Sequence, residues 1–169
     1  MSLLQWVKNI HNGIMEMFSE DRKVKPGDAI GVSRILYDHY GIYTGEDLII
    51  HYHQRMTDGK LIVQETHIEE FLSGASTYFI LDCEYRKPHK SAPVKYREAL
   101  EALNKIKIFS PEETVIRARN KLGTGKYHLL LNNCEHFALW CKTGISQSHQ
   151  IDELLWFIPH INCNYYQAR

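Results

Sequence analysis

The order of apolar and polar positions divides the chain into a helical stretch, a block of strands and a block of helices. Residues 3–18 repeat apolar side chains at Leu3, Val7, Ile10, Ile14 and Phe18, which is helical spacing. Such a helix either packs on a core or lies at a membrane interface, and with Lys8 as its strong cation it has little electrostatic pull on lipid. Pro26-Gly27-Asp28 then marks a turn into a long β-branched and aromatic run, AIGVSRILYDHYGIYT, which pairs across a Gly- and Asp-rich turn with LIIHYH. Asp58-Gly59 is a second hairpin signal and introduces KLIVQET. HIEEFLSG predicts one or two helical turns stopped by Gly74, and STYFILDCEY predicts a further strand.

The remainder is predominantly helical in pattern. Residues 85–93 form a Pro- and Lys-bearing loop, followed by KYREALEALNKIKI, rich in good helix formers. SPEETVIRARNKLG places Ser110 at N-cap, Pro111 at N1 and Glu113 at N3, with Gly123 as the stop. NNCEHFALWCKTG predicts a helix from about Asn133 to Lys142, closed by Gly144. Strands followed by helices give an α+β class with an antiparallel β-sheet packed against helices. The divisions read from this order are an N-terminal helix over 1–20, a main domain over 21–150 and a tail over 151–169.

Composition narrows the function. A chain of 169 residues can bury one sizeable core. Twenty basic and twenty acidic residues cancel, which argues against nucleic acid as a partner. Four cysteines, widely scattered, do not form a secreted disulfide framework. The N-terminus lacks the pattern of a secretory leader, and no run reaches the length of a transmembrane helix. The expectation is a cytoplasmic protein without a transmembrane anchor.

Candidate chemistry centres on Cys134. In the first turn of its helix it would sit beside unpaired N–H groups and the positive dipole end, which favour a thiolate and can hold an oxyanion. Cys141, two turns further on, lacks this help and reads as structural. His136 is two residues away, roughly 200° around the helix, and so is poorly placed as a base. On the predicted hairpin, Tyr37, His39 and Tyr43 share one strand face, and Ile49, His51 and His53 share a face of the next. A three-residue turn, Thr44-Gly45-Glu46, sets His39 directly opposite His51. One imidazole could then accept the thiol proton while the second fixes its tautomer. A turn one residue longer would send His51 to the other face. Two other readings stay open on spacing: a metal site from His39, His51, His53 and Cys134, and histidines that merely decorate a hairpin.

KPGDAI, YDHYGIYTG, LIIHY, NNCEHF and CKTG together resemble the lecithin:retinol acyltransferase-like family, a permuted branch of the NlpC papain-like superfamily that includes the phospholipase A/acyltransferases. The resemblance spans roughly Lys25 to Gly144. Its boxes are a His in an H-[WYF]-[AG]-I-Y-x-G context (His39), a second His twelve positions later (His51), and N-C-E-H-F from Asn133 to Phe137. The resemblance implies a permuted papain-like fold with Cys134 as nucleophile, His39 as general base and acid, and His51 as the orienting third member. Tyr37 is implied as an aid to the oxyanion. It further implies transfer of an acyl chain from a glycerophospholipid, through a Cys thioester, to water, an amine or an alcohol. Neither cofactor nor metal is implied, and the partners are phospholipid and a membrane surface. A cysteine amidase or peptidase, and a non-catalytic interaction module keeping both boxes, are the alternatives. The tail INCNYYQAR departs from the hydrophobic anchor of vertebrate members, which moves any membrane attachment toward the N-terminal helix.

Overall fold

The computed structural model describes residues 23–35, 37–81, 106–125 and 133–145, together with the backbone of 163–167. The N-terminal helix predicted over 3–18 and the body of the segment 85–105 lie outside the described residues. Within them, the chain forms β1 (Ala29–Ser33), β2 (Asp38–Gly45), β3 (Leu48–Gln54), β4 (Leu61–His67), α1 (Ile68–Leu72), β5 (Thr77–Leu81), α2 (Pro111–Arg119), α3 (Asn133–Thr143) and β6 (Cys163–Gln167). All paired strands are antiparallel, in the order β4-β3-β2-β1-β5-β6, so the class is α+β as expected. Residues 163–167, assigned from sequence to the tail, pair with β5 as the sixth strand.

The run from Ala29 to Thr44, read from sequence as one strand, is two. The chain reverses at Arg34–Tyr37, where the Arg34 amide donates to the Tyr37 carbonyl at 2.8 Å. No glycine or proline marks this reversal. The Arg34 guanidinium donates to the Phe71 and Leu72 carbonyls at 2.7 and 2.9 Å, satisfying the C-terminal end of α1. A tertiary contact therefore holds the turn, and local pattern does not carry it.

The β2–β3 register also differs from expectation. Glu46 and Asp47 form a two-residue turn with φ of 53° and 57°, and Gly45 pairs with Leu48. Both central residues at positive φ match the twist of a hairpin. Continued without interruption, that pairing would set Gly41 opposite Tyr52 and put His51 on the wrong face. A bulge between Tyr43 and Gly45 shifts it, so that Tyr43 opposes Ile49 and Gly41 opposes His51. Gly45 enables the bulge at φ 103°. His39 is thus diagonal to His51 rather than directly opposite, but the shared face survives.

The two faces of the sheet bury separate clusters. On one, Ala29, Tyr40, Ile42, Ile50, Val63, Phe79 and Leu81 pack with Cys134, Phe137, Ala138, Leu139 and Cys141 of α3. On the other, Ile30, Val32, Ile49, Tyr78 and Ile80 pack with Phe71 and Leu72 of α1. Helix α2 carries the predicted capping box in full: the Ser110 hydroxyl accepts from the Glu113 amide, and the Glu113 carboxylate accepts from the Ser110 amide. Beyond α2, the Val63 amide donates to the Thr124 carbonyl and the Gly123 amide donates to the Val63 carbonyl, both at 2.9 Å, docking this turn on β4. The Arg117 guanidinium lies between the rings of Phe109 and Trp140, which locks α2 to α3.

Candidate active site

Three adjacent strands carry the polar part of the site on the α1 face. Nε2 of His39 stands 2.9 Å from Nδ1 of His51, and Nε2 of His51 stands 2.9 Å from Oγ1 of Thr66. The line runs diagonally because Gly41, not His39, lies directly across from His51, and Gln64, not Thr66, lies across on β4. Gly41 leaves the necessary space: a Cβ there would come within 3.0 Å of the His51 Cβ and closer still to the Ile49 side chain. Beneath the pair, Phe71 stacks on His39 at 5.0 Å between centroids and meets the edge of His51 at 5.2 Å. The aromatic floor restricts both rings without competing for their nitrogens.

Burial sets the charge state of the pair. His51 is 1% exposed. Desolvation, reinforced by the Arg34 cation and by His53, lowers His39 from 6.5 to about 4. Desolvation, then the neighbouring His39 and His53, lowers His51 to about 3. At neutral pH both imidazoles are therefore uncharged. The nitrogens they turn toward each other form a mutual hydrogen bond, which fixes the orientation of both rings. His53 lies beside His51, ring centroids 5.2 Å apart, and its Nε2 is 3.9 Å from a Glu70 carboxylate oxygen.

Cys134 is the second residue of α3 and is buried. Its thiol donates to the Asp38 carbonyl at 3.7 Å, the residue just before His39. Among the described residues this is the thiol's hydrogen bond as donor, and it is not made to an imidazole. Burial pushes the thiol pKa up, against the backbone amides of Tyr40, Glu135 and Cys134 itself, which point at the sulfur and pull the other way. The helix N-terminus thus supplies the expected amides, while desolvation outweighs them, so the resting thiol is protonated. Amides at a helix N-terminus can also serve as donors to an oxyanion. The thiol and the imidazole pair meet the first residues of β2 from opposite sides: Tyr40 belongs to the α3-face cluster, whereas His39 stacks on Phe71.

The other residues singled out from sequence fall as follows. Tyr37 is 42% exposed, with its ring edge-on to His39 at 6.4 Å. His136 is partly buried on α3. Cys141 is fully buried, and desolvation raises it to about 12, the state of an inert structural thiol. Sequence reasoning missed Thr66 and Phe71. Thr66 was within reach, because the Asp58-Gly59 hairpin fixes the β4 register. Phe71 was not, because its place depends on the packing of α1.

A thiol at a helix N-terminus laid against an antiparallel sheet that carries an imidazole pair is the frame of an α+β, papain-like domain. The chain belongs to the lecithin retinol acyltransferase family, whose model matches residues 22–147. It is 29% identical over 136 residues to mouse lecithin retinol acyltransferase, covering 75% of this chain and 58% of that one. Human phospholipase A and acyltransferase 5 is 26% identical over 136 residues, covering 78% and 44%. Protein LEAD-SENSITIVE 1 of Arabidopsis thaliana is 29% identical over 168 residues, covering 79% and 62%. The chain spans less than two-thirds of the length of these relatives.

Proposed function

We propose that this protein is a thiol-dependent phospholipase A/acyltransferase with Cys134 as nucleophile, His39 as general base and acid, and His51 as the residue that orients His39. The observation that carries the reading is the 2.9 Å contact between the two imidazoles, in a chain of this family whose α3 carries a thiol in its first turn. Because the thiol is protonated and both imidazoles are neutral at rest, the reaction begins by general base catalysis rather than from a preformed ion pair. The thiol proton passes to His39 as Sγ attacks the ester carbonyl of a glycerophospholipid. The amides of Cys134, Glu135 and Tyr40, aided by Tyr37, stabilise the tetrahedral oxyanion. Collapse breaks the ester C–O bond, His39 returns the proton to the departing lysolipid oxygen, and an acyl thioester remains on Cys134. Water, an amine or an alcohol then loses a proton to His39 and attacks the thioester, and the proton returns to sulfur as the product leaves.

Direct approach of sulfur to His39 requires the thiol to leave the Asp38 carbonyl. Catalytic hydrogen bonds commonly tighten only when substrate is bound, and an ester entering the amide pocket would displace that contact. The membrane surface supplies the substrate, with a cytoplasmic, peripheral location. Neither a metal nor a cofactor enters these steps. The test is release of fatty acid from phospholipid vesicles: wild type releases it, and Cys134→Ala and His39→Ala do not while remaining folded. Equal release by all three would overturn the proposal. A second reading, a non-catalytic interaction module, draws on the buried thiol and its bond to Asp38; it predicts no release by any of the three.

A further inference from the structure

The hydrogen-bond line does not end at His51. Thr66 Oγ1, 2.9 Å from His51 Nε2, also donates to the His67 carbonyl at 3.2 Å. A hydroxyl has one proton and a carbonyl oxygen can only accept. With that proton directed to the carbonyl, Oγ1 meets His51 with a lone pair. His51 must then carry its proton on Nε2 and present a bare Nδ1. Across the next contact, bare Nδ1 of His51 requires a proton on Nε2 of His39. His39 is neutral, so its Nδ1 is unprotonated and can receive a proton. Reversing the polarity at Thr66 reverses every link: His51 would donate from Nδ1, and His39 would carry its proton on Nδ1 and be useless there as a base.

We infer that Thr66 is a positioning residue that fixes the tautomers of both imidazoles from the far end of the line, by accepting a hydrogen bond from His51 while its own proton is held by the His67 carbonyl. It touches no substrate in this arrangement and acts through His51. The consequence for turnover rests on the proposed acyl-transfer reading; the tautomers themselves do not. Burial makes the assignment matter, because His51 has no solvent with which to satisfy a misplaced proton.

The experiment uses full-length protein with ¹⁵N-labelled histidine, and imidazole ¹⁵N shifts read each tautomer at pH 7 without substrate. Wild type is expected to show His39 and His51 both protonated on Nε2. Thr66→Val removes the acceptor and is expected to move His51 toward the Nδ1-protonated form, and Thr66→Ser is expected to restore the wild-type pattern. In vesicle assays Thr66→Val should lose roughly tenfold or more in kcat at little changed KM, part of the 10²–10⁴ that a general base supplies, with recovery in Thr66→Ser. An Nδ1-protonated His39 in wild type, or wild-type tautomers in folded Thr66→Val, overturns the inference. Should Thr66→Val fail to fold, the wild-type and Thr66→Ser spectra decide it. Expected tautomers with no fatty acid release from any variant would sink the enzymatic proposal and leave Thr66 in its positioning role.

Discussion

On the α3 face of the sheet, Tyr40, Ile42, Ile50 and Val63 close an apolar layer against Leu139 and Ala138. At positions of the opposite parity on the same strands, on the α1 face, His39, His51 and Thr66 form a line of hydrogen bonds over Phe71. The same three strands therefore build a packed core on one side and a line of hydrogen-bonded polar side chains on the other. What separates them is strand parity, and parity here rests on one bulge at Thr44 and Gly45. An apolar layer tolerates imprecise packing at modest cost, whereas a buried polar line must be wholly satisfied or it becomes a liability.

A one-residue slip of β3 against β2 is the most severe way to break this division. Deleting Ile49 while Gly45 stays paired with Leu48 sets His51 opposite Ile42 and so sends it to the apolar face. The expected outcome is loss of cooperative folding, since burying unpaired imidazoles and exposing core residues exceeds the usual total stability of about 5–15 kcal/mol. A cooperative melt with an intact His39–His51 contact would show that the register tolerates the change.

Next in size are paired truncations on the two faces. Ile50→Ala should cost about 2–5 kcal/mol in denaturant unfolding, with kcat preserved wherever the protein is folded. His39→Ala should lower kcat by roughly 10²–10⁴, the worth of a general base. If both variants lost stability and activity in the same proportion, the faces would not be functionally distinct.

The polar face should also respond to acid. His39 and His51 have folded pKa values below the ordinary 6.5, at about 4 and about 3, because burial favours their neutral forms. The unfolded chain therefore binds protons more readily as pH falls below 6.5. Stability from this pair is complete above pH 6.5 and is lost as pH falls toward 4. Activity should keep its base deprotonated to well below pH 6.5, so the acid limb of kcat/KM lies nearer 4 than 6.5. Urea midpoints that hold steady from pH 7 to 4, or an acid limb at 6.5, would contradict the burial of the pair. Smallest of all, Ser110→Ala on α2 should cost about 1 kcal/mol through loss of the cap and leave activity alone, because the capping box touches neither face's chemistry.

Much of this was legible in the residues. The capping box of Ser110 and Glu113 and the glycine stop at Gly144 are local signals that local hydrogen bonds enforce, and the helix starting at Asn133 followed from its pattern. The shared face of His39 and His51 follows from the period of a strand. Their direct opposition did not hold, because a two-residue turn with an added bulge replaced the three-residue turn, and Glu46 and Asp47 at positive φ gave no glycine signal. The reversal at Arg34–Tyr37 was illegible for a related reason, since its guanidinium is anchored on α1 carbonyls distant in sequence. The charge state of Cys134 also escaped. A helix N-terminus is visible in sequence, but the desolvation that outweighs it depends on what packs around the sulfur.

The central claim is that Cys134 carries the acyl chain, and intact and peptide mass spectrometry after brief incubation with a glycerophospholipid tests it most directly. The account predicts a mass increase of one acyl group on the peptide containing Cys134, reversed by hydroxylamine and absent in Cys134→Ala and His39→Ala. An acyl group found on another residue, or fatty acid release that persists in Cys134→Ala, would contradict it.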